Sequence, residues 1–418
     1  MSRITLCFCV FGTFTFFNQE MLLIASQDIL SGLKLPTATI LICLIAPLMI
    51  IKIIAPWFIQ KIPYVVRVSF VALCMTLALV LIVFVENIKV KLVGIALNSL
   101  ATGTSEITFL GLTSFYPRTY ISAFVAGTGM ACLVPPLYYT GITTWTCCAP
   151  KTAIMAVIPL PLLLLVFYAI LDKSYITNGS NSRRKERIQV EYTIIPSTSD
   201  IKDQFATDIQ SSICGEKLRI GVKILPYIIP LLLSFFAEYL SNSSVITTIV
   251  PNSKVPPRDH FLYYLFSYEI GKFLGRSHLF ILSCLPSDSL EVLRCKRTWV
   301  FALIELAHLI FFLLESWYHF VWYMWIVIFL CFTLGLVAGM LVLHSPHAVS
   351  GHVAPEEKEF ALGLLTVGNA VGGFVAGLLG LVVEPYLRKK CLVHYSASKE
   401  LCFTRTQNTT GWDSNIHC

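Results

Sequence analysis

Apolar residues fall along this chain in blocks too long for the interior of a water-soluble domain. Eleven blocks can be marked, at 4–26, 37–59, 66–85, 92–114, 119–141, 152–171, 222–242, 260–280, 299–315, 321–343 and 360–384. Each matches the roughly 17–25 residues a helix needs to cross about 30 Å of hydrocarbon. The stretch 172–219 breaks the series. It carries Arg183-Arg184-Lys185-Glu186-Arg187 among several Ser and Thr, and reads as a flexible cytosolic loop. The pattern predicts an all-α polytopic membrane protein of about eleven transmembrane helices in two bundles. Six helices fill 1–171, about five fill 220–384, and a polar tail occupies 385–418. Two bundles joined by a central loop is the layout of major-facilitator-type transporters. Those usually have six helices in each half, and no internal sequence repeat is visible here.

Composition agrees with lipid as the main solvent. Hydrophobic types make up 56% of the 418 residues and charged types 13%, with a mean hydropathy of +0.73. Soluble domains carry roughly a quarter charged residues. The apolar run from Ile4 to Ala25 is too long for a signal-peptide core and reads as an uncleaved first span. The net charge of +7 reports orientation before it reports partners. Arg3, Lys61, Arg67, Arg118, the basic loop, Arg294, Lys296, Arg297 and Lys358 fall on one side. Fewer fall on the other: Lys34, Lys89, Lys91, Lys151, Lys254 and Arg258. The N-terminus and the loop are therefore expected in the cytosol. Eleven spans put the tail across the membrane, although Arg388-Lys389-Lys390 pull the other way. The N-x-S/T triplets at Asn242 and Asn408 are then glycosylation candidates.

Ionisable groups inside spans cost at least about 2.5–3.5 kcal/mol, so those present call for a reason. In the fourth block Asn98, Thr102, Ser105, Glu106 and Thr113 project within about 100° of one another on a helical wheel. This stripe reads either as interhelical hydrogen bonding or as the wall of a solute path. Ser234, Glu238 and Ser241 share a face of the seventh block, with Glu238 near enough to its end to be simply solvated. In the eighth block Glu269, Lys272 and Arg276 fall within about 60°. Glu269 and Lys272 can pair along the helix, leaving Arg276 to hold an anion, to snorkel, or to gate the bundles. Tyr264 and Tyr268 precede them. Glu20, beside Asn18 and Gln19, interrupts the first block, and Asp28 ends it. Pro135-Pro136 and Gly127-Thr128-Gly129 predict a softened or broken fifth helix. Gly368/Gly372 and Gly373/Gly377 are small-xxx-small packing pairs. His344, His347 and His352 are placed in a solvated loop after the tenth block.

Other chemistry is thin. Among 14 cysteines there is no CxxC and no Cys/His zinc spacing, and many sit in apolar runs as small hydrophobes. No GxSxG, HExxH or nucleotide-binding loop occurs, so neither an enzyme nor an ATP-driven pump is expected, and no cofactor or metal is assigned. Basic residues are scattered over loop ends, which argues against nucleic acid as a partner. Tyr192-Thr-Ile-Ile195 has the Tyr-x-x-hydrophobic form that sorting adaptors read.

Several stretches resemble the battenin family of lysosomal membrane proteins. The most specific is Glu106-Ile-Thr-Phe-Leu-Gly-Leu-Thr-Ser-Phe-Tyr-Pro-Arg118. Gly127-Thr128-Gly129, Phe236-Ala-Glu238-Tyr239, Tyr264, Tyr268, Gly271, Arg276-Ser277 and Glu359-Phe360-Ala361 match later motifs. Gln27-Asp28-Ile-Leu30 and Ile62-Pro63-Tyr64 match earlier ones. Asn369 stands where the family has an aspartate, Ser105 where it has a glycine, and Glu269 and Lys272 where a relative is uncharged. The resemblance implies a major-facilitator-like fold and a lysosomal or late-endosomal address. It also implies roles in lysosomal pH and in basic amino acid and glycerophosphodiester handling. The expectation is a secondary transporter of a small polar solute, with Glu106 and Glu238 as proton-coupling or hydrogen-bonding groups and Arg276 holding an anionic group or a gate. Asn98, Thr102, Tyr264 and Tyr268 would line the path. The alternative is a membrane organiser that recruits trafficking or pH-regulating partners through the central loop.

Overall fold

A computed structural model describes residues 2–29, 38–176, 202–251, 257–282, 295, 297–394 and 412–413. Every long element among them is helical. These are α1 (Arg3–Ile24), α2 (Ala38–Ile54), α3 (Tyr64–Phe84), α4 (Ile88–Leu112), α5 (Thr119–Thr140), α6 (Pro150–Val157), α7 (Leu163–Ile170), α8 (Lys202–Leu240), α9 (Pro257–Ile281), α10 (Thr298–Tyr318), α11 (Met324–His352) and α12 (Lys358–His394). The pair α6 and α7 forms one span interrupted at Pro159 and Pro161, which supply no N–H to the ladder. The described residues thus trace eleven crossings, at the places the apolar blocks predict. Eight of these stretches are long and apolar enough to cross a bilayer by composition alone. The short α2 and the polar α4 and α9 fall outside that set; all three contribute charge to the site below.

Chain direction alternates, so one face gathers the start of α1 and the ends of α2, α4, α7, α9 and α11. This is called the linker face here, and the opposite one the far face. Ser2 caps α1 by accepting from the Thr5 N–H, and Asn87 caps α4 by accepting from the Lys89 N–H. Large apolar side chains such as Leu73, Leu77, Phe84, Val93, Val222 and Phe329 point outward, as lipid requires.

The helix contacts repeat between the halves. α1 packs on α5 as α8 packs on α12, and α2 packs on α4 as α9 packs on α11. The halves meet through α5 against α9 and α2 against α12. Glycines set the closest crossings. A Cβ on Gly127 would overlap the Cys9 carbonyl of α1, and one on Gly372 would overlap the Leu232 carbonyl of α8. The packing role expected of Gly368 and Gly372 is thus seen directly.

The apolar cores are unequal. On the linker side the main core takes residues from both halves, including Phe8, Phe109 and Phe124 with Leu341, Phe360 and Leu365, beside a small cluster of Ala55, Ile59 and Ile107. On the far side there are two cores. One joins Met21, Leu44, Leu79 and Ile154 of the first half, and the other joins Leu240, Tyr264, Phe312 and Leu334 of the second. Polar contacts follow the same division. Glu359 accepts from Tyr64 Oη at 2.6 Å and pairs with Arg67 at 3.2 Å, while Ser122 meets His347 at 2.8 Å. Lys217 donates to the Trp57 carbonyl at 2.7 Å. All join one bundle to the other on the linker face.

Several expectations change. α8 begins at Lys202, so the last eighteen or so positions of the expected loop are helical; that stretch contains no proline to stop the helix before Pro226. His344, His347 and His352 lie on α11, not in a loop, and the first two are buried, because the helix continues past its apolar block. α5 is unbroken through Pro135-Pro136 and ends instead in a π-turn at Gly141–Trp145; neighbouring helices hold it in register. Arg67 is buried against Glu359 and is not a loop charge. Trp412 and Asp413 dock on the far face. The Lys91 ammonium lies 4.2 Å from the Trp412 ring, and Lys151 pairs with Asp413 at 2.8 Å. Tyr192, Ile195 and Asn408 lie outside the described residues, as does the basic cluster 183–187. Asn242 is half-buried in the π-turn Ser241–Val245 that ends α8 on the far face.

Candidate functional site

Between the bundles, where the main linker-side core gives way to the two far-side ones, lies a cavity of about 870 Å³, open solvent included. Its apolar wall includes Phe16, Leu48, Phe124, Phe235 and Val342. Five charged side chains also line it: Glu20 from α1, Lys52 from α2, Glu106 from α4, and Lys272 and Arg276 from α9. Glu238 of α8 stands directly behind Lys272.

Two ion pairs organise these charges. Lys52 pairs with Glu106, and Asn369 of α12 ties the pair to the other bundle. The amide accepts from Lys52 at 2.9 Å and donates to Glu106 at 3.0 Å. In the second bundle Lys272 pairs with Glu238 at 2.7 Å, and the Tyr268 hydroxyl donates to the same carboxylate. At about 4 Å and an effective dielectric near 20, each attraction is worth about 4 kcal/mol before desolvation is subtracted. These are buried charges, so leaving either member alone is far costlier than never having had the pair.

Two charges have no such partner. Arg276, 5% exposed, donates only to the Thr128 carbonyl at 3.2 Å and the Cys132 sulfur at 3.4 Å, and its Nε has no hydrogen-bond partner among the described residues. Glu20 feels Lys272 and Arg276 electrostatically, but no ion pair within 4 Å joins it to a cation among the described residues. A buried guanidinium with unused donors is suited to a bidentate anion.

The residues singled out in the sequence divide. Glu106, Arg276, Lys272 and Glu20 meet at the cavity, with Glu238 and Tyr268 one layer behind. Asn98 and Thr102 are buried inside the first bundle, away from the cavity wall, and Thr102 turns its hydroxyl back to the Asn98 carbonyl at 3.0 Å. Ser105 meets Thr15 at 2.9 Å, so this part of the stripe is interhelical bonding. Tyr264 packs edge-on against His260, away from the cavity. Glu269 does not pair with Lys272, whose ammonium reaches across to α8 instead; Glu269 Oε2 has no hydrogen-bond partner among the described residues. Glu238 is 2% exposed and is not a solvated boundary residue. Sequence reading missed Lys52, the bridging role of Asn369, the Arg67–Glu359 pair and the fully buried Glu305. Lys52 was legible as a lone lysine in an apolar block, but such a lysine ordinarily snorkels. Among the described residues no group of three His, Cys, Asp or Glu is placed to hold a metal.

The fold is that of major facilitators. The outward-facing FucP transporter aligns with a TM-score of 0.51 at 12% identity, covering 92% of this chain and 98% of that one. The human organic anion transporter MFSD10 aligns at 0.52 and 12% identity, covering 96% of each. In sequence, battenin of Canis lupus familiaris is 28% identical over 84% of this chain and 77% of its own. Protein btn-1 of Neurospora crassa is 28% identical over 92% and 88%, and BTN1 of Saccharomyces cerevisiae 26% identical over 91% and 94%. The CLN3 protein family matches residues 6–390, nearly every span described above. The chain belongs to the CLN3 protein family.

Proposed function

We propose that this protein is a secondary transporter of a small polar solute bearing an anionic group, working in a lysosomal or late-endosomal membrane with its N-terminus in the cytosol. The observation that carries the reading is Arg276: a buried guanidinium that pairs with no carboxylate among the described residues, on the wall of a cavity between two bundles. The solute's anionic end would engage Arg276 and Lys272, and a cationic or hydroxyl end would face Glu20. Glycerophosphodiesters and amino acids fit that charge pattern. Release would require the linker face to open, breaking the Arg67–Glu359 and Ser122–His347 contacts while the two far-side cores approach. The address is what the battenin-like motifs of the sequence imply. Two disulfide-bonded cysteines on the far face, Cys147 and Cys391, support an oxidising lumen on that side.

The test is flux in reconstituted vesicles with a panel of glycerophosphodiesters and basic amino acids. Arg276→Ala is expected to abolish transport of the recognised solute, and Glu106→Gln to slow it by at least about tenfold, since each unit of 1.4 kcal/mol is a decade. Unchanged flux of every solute in both variants would falsify the assignment.

A further inference from the structure

Glu305 is a fully buried carboxyl that the transport scheme leaves unused. It sits on α10, two turns in from the linker face, with no solvent exposure. Its Oε2 accepts from the Ser234 hydroxyl of α8 at 2.6 Å, and its Oε1 has no hydrogen-bond partner among the described residues. No ion pair joins it to a cation among those residues. Of the other acids at the centre, Glu106 has Lys52, Glu238 has Lys272 and Tyr268, and Glu20 and Glu269 both lie in the field of Lys272 and Arg276. A carboxylate satisfied by one hydroxyl in an apolar bundle costs several kcal/mol. Glu305 is thus built to exchange a proton and not to stand as a fixed charge.

The groups that act on it connect it to the cavity. One turn along α8 from Ser234 stands Glu238, whose Oε2 is also without a hydrogen-bond partner among the described residues. The charges felt at Glu305 are Glu238 of α8 and Lys272 of α9. On its own helix His308 turns away, to the Ile304 carbonyl at 2.8 Å and Thr333 of α11 at 3.0 Å. α11 and α12, which also pack on α10, add no charge to those acting on Glu305.

We propose that Glu305 is the proton-binding residue that couples solute binding to protons, reading the Glu238–Lys272 pair from within the second bundle. This rests on the transporter reading of the cavity. The sign follows from charge. An anion that draws Lys272 toward the cavity leaves Glu305 facing the negative charge of Glu238 with less positive charge to offset it. A proton from water then binds Glu305 more readily, and returns to water when the anion leaves. Anion and proton therefore bind cooperatively, and linkage makes the effect reciprocal. Glu305 acts through the pair and is a positioning residue, not a solute ligand.

Two readouts on the full-length chain test this. In infrared difference spectra between about pH 5 and about pH 8, the wild type should show a carboxylic-acid stretch that titrates, and E305Q should lack it. In vesicles at equal pH on both sides, with glycerophosphocholine and L-arginine as probes, acidification should lower the half-saturating concentration of the carried probe about fivefold, the low end of site–site coupling. E305Q should keep counterflow but lose that dependence, and E305D should regain part of it. A stretch unchanged in E305Q, or an E305Q pH profile equal to wild type, overturns the proposal with transport intact. Absence of counterflow of either probe in the wild type overturns the carrier reading itself and the coupling with it. Should E305Q fail to purify, S234A carries the test. It removes the hydroxyl that favours the ionised form, so the titration should move to higher pH; an unmoved midpoint overturns the proposal.

Discussion

The buried ion pairs among the described residues are of two kinds. Lys52–Glu106 and Lys272–Glu238 each lie inside one bundle, with Lys52, Glu106 and Lys272 on the cavity wall and Glu238 just behind it. Arg67–Glu359 joins α3 of the first bundle to α12 of the second on the linker face, with Tyr64 donating to the same carboxylate at 2.6 Å. The chemistry is the same, but position decides its use. On the proposed transporter reading, a pair inside a bundle moves with it as a rigid body and keeps charge in place. A pair between bundles would exist in only one of the two access states and so set their balance.

That contrast can be broken most forcefully at Lys272. Lys272→Met leaves Glu238 buried with a tyrosine hydroxyl alone, and the expected cost is about 3–5 kcal/mol of stability. Thermal unfolding of the purified protein should show it, and adding Glu238→Leu should recover most of the loss, because an apolar pair of similar volume is close to neutral. At the linker face, Arg67→Ala removes a charged hydrogen bond worth about 1.5–3 kcal/mol and should act on conformation more than on folding. A cysteine at Ser350, next to the bundle contact of Arg118, should label roughly tenfold faster from the linker side. Equal melting losses for Lys272→Met and Arg67→Ala, with no change in labelling, would erase the distinction.

Asn369→Leu sharpens it further. The substitution spares the Lys52–Glu106 pair and removes the amide that ties it to α12. A stability loss of about 1 kcal/mol is expected, with a larger change in transport rate than in melting temperature. The smallest effect belongs to the tail. Lys151–Asp413 is exposed, and the Lys91–Trp412 contact is a cation over one ring. Trp412→Ala should cost about 0.5–1 kcal/mol, detectable as a small shift in unfolding with flux unchanged.

The fold was readable because a bilayer imposes one rule on every span. Twenty apolar residues in a row have few alternatives to a helix, so the blocks located all eleven crossings. Their ends were less legible. α8 and α11 run past their apolar blocks because helical packing, not hydropathy, decides where they stop. The site was partly readable for a related reason. Glu106, Glu20, Lys272 and Arg276 are costly in hydrocarbon, and cost marks them. What cost does not reveal is the partner. Spacing of three residues suggested Glu269 for Lys272, but the ammonium reaches Glu238 on another helix, thirty-four positions away in the chain. Asn98 and Thr102 share a wheel face with Glu106, yet only the carboxylate reaches the cavity. A helical wheel gives direction about one axis and nothing about where the neighbouring helix ends.

Labelling of a single cysteine tests most directly the claim that these charges line a wet passage, closed on the linker face and open on the far one. Ala370 lies on the cavity wall beside Asn369 and is small enough to replace. Ala370→Cys, with the other reactive thiols removed, should react with a charged, membrane-impermeant thiol reagent in sealed vesicles whose far face is outside. Reaction should be at least about tenfold slower when the linker face is outside. Labelling from the linker face alone, or from neither, would contradict the account.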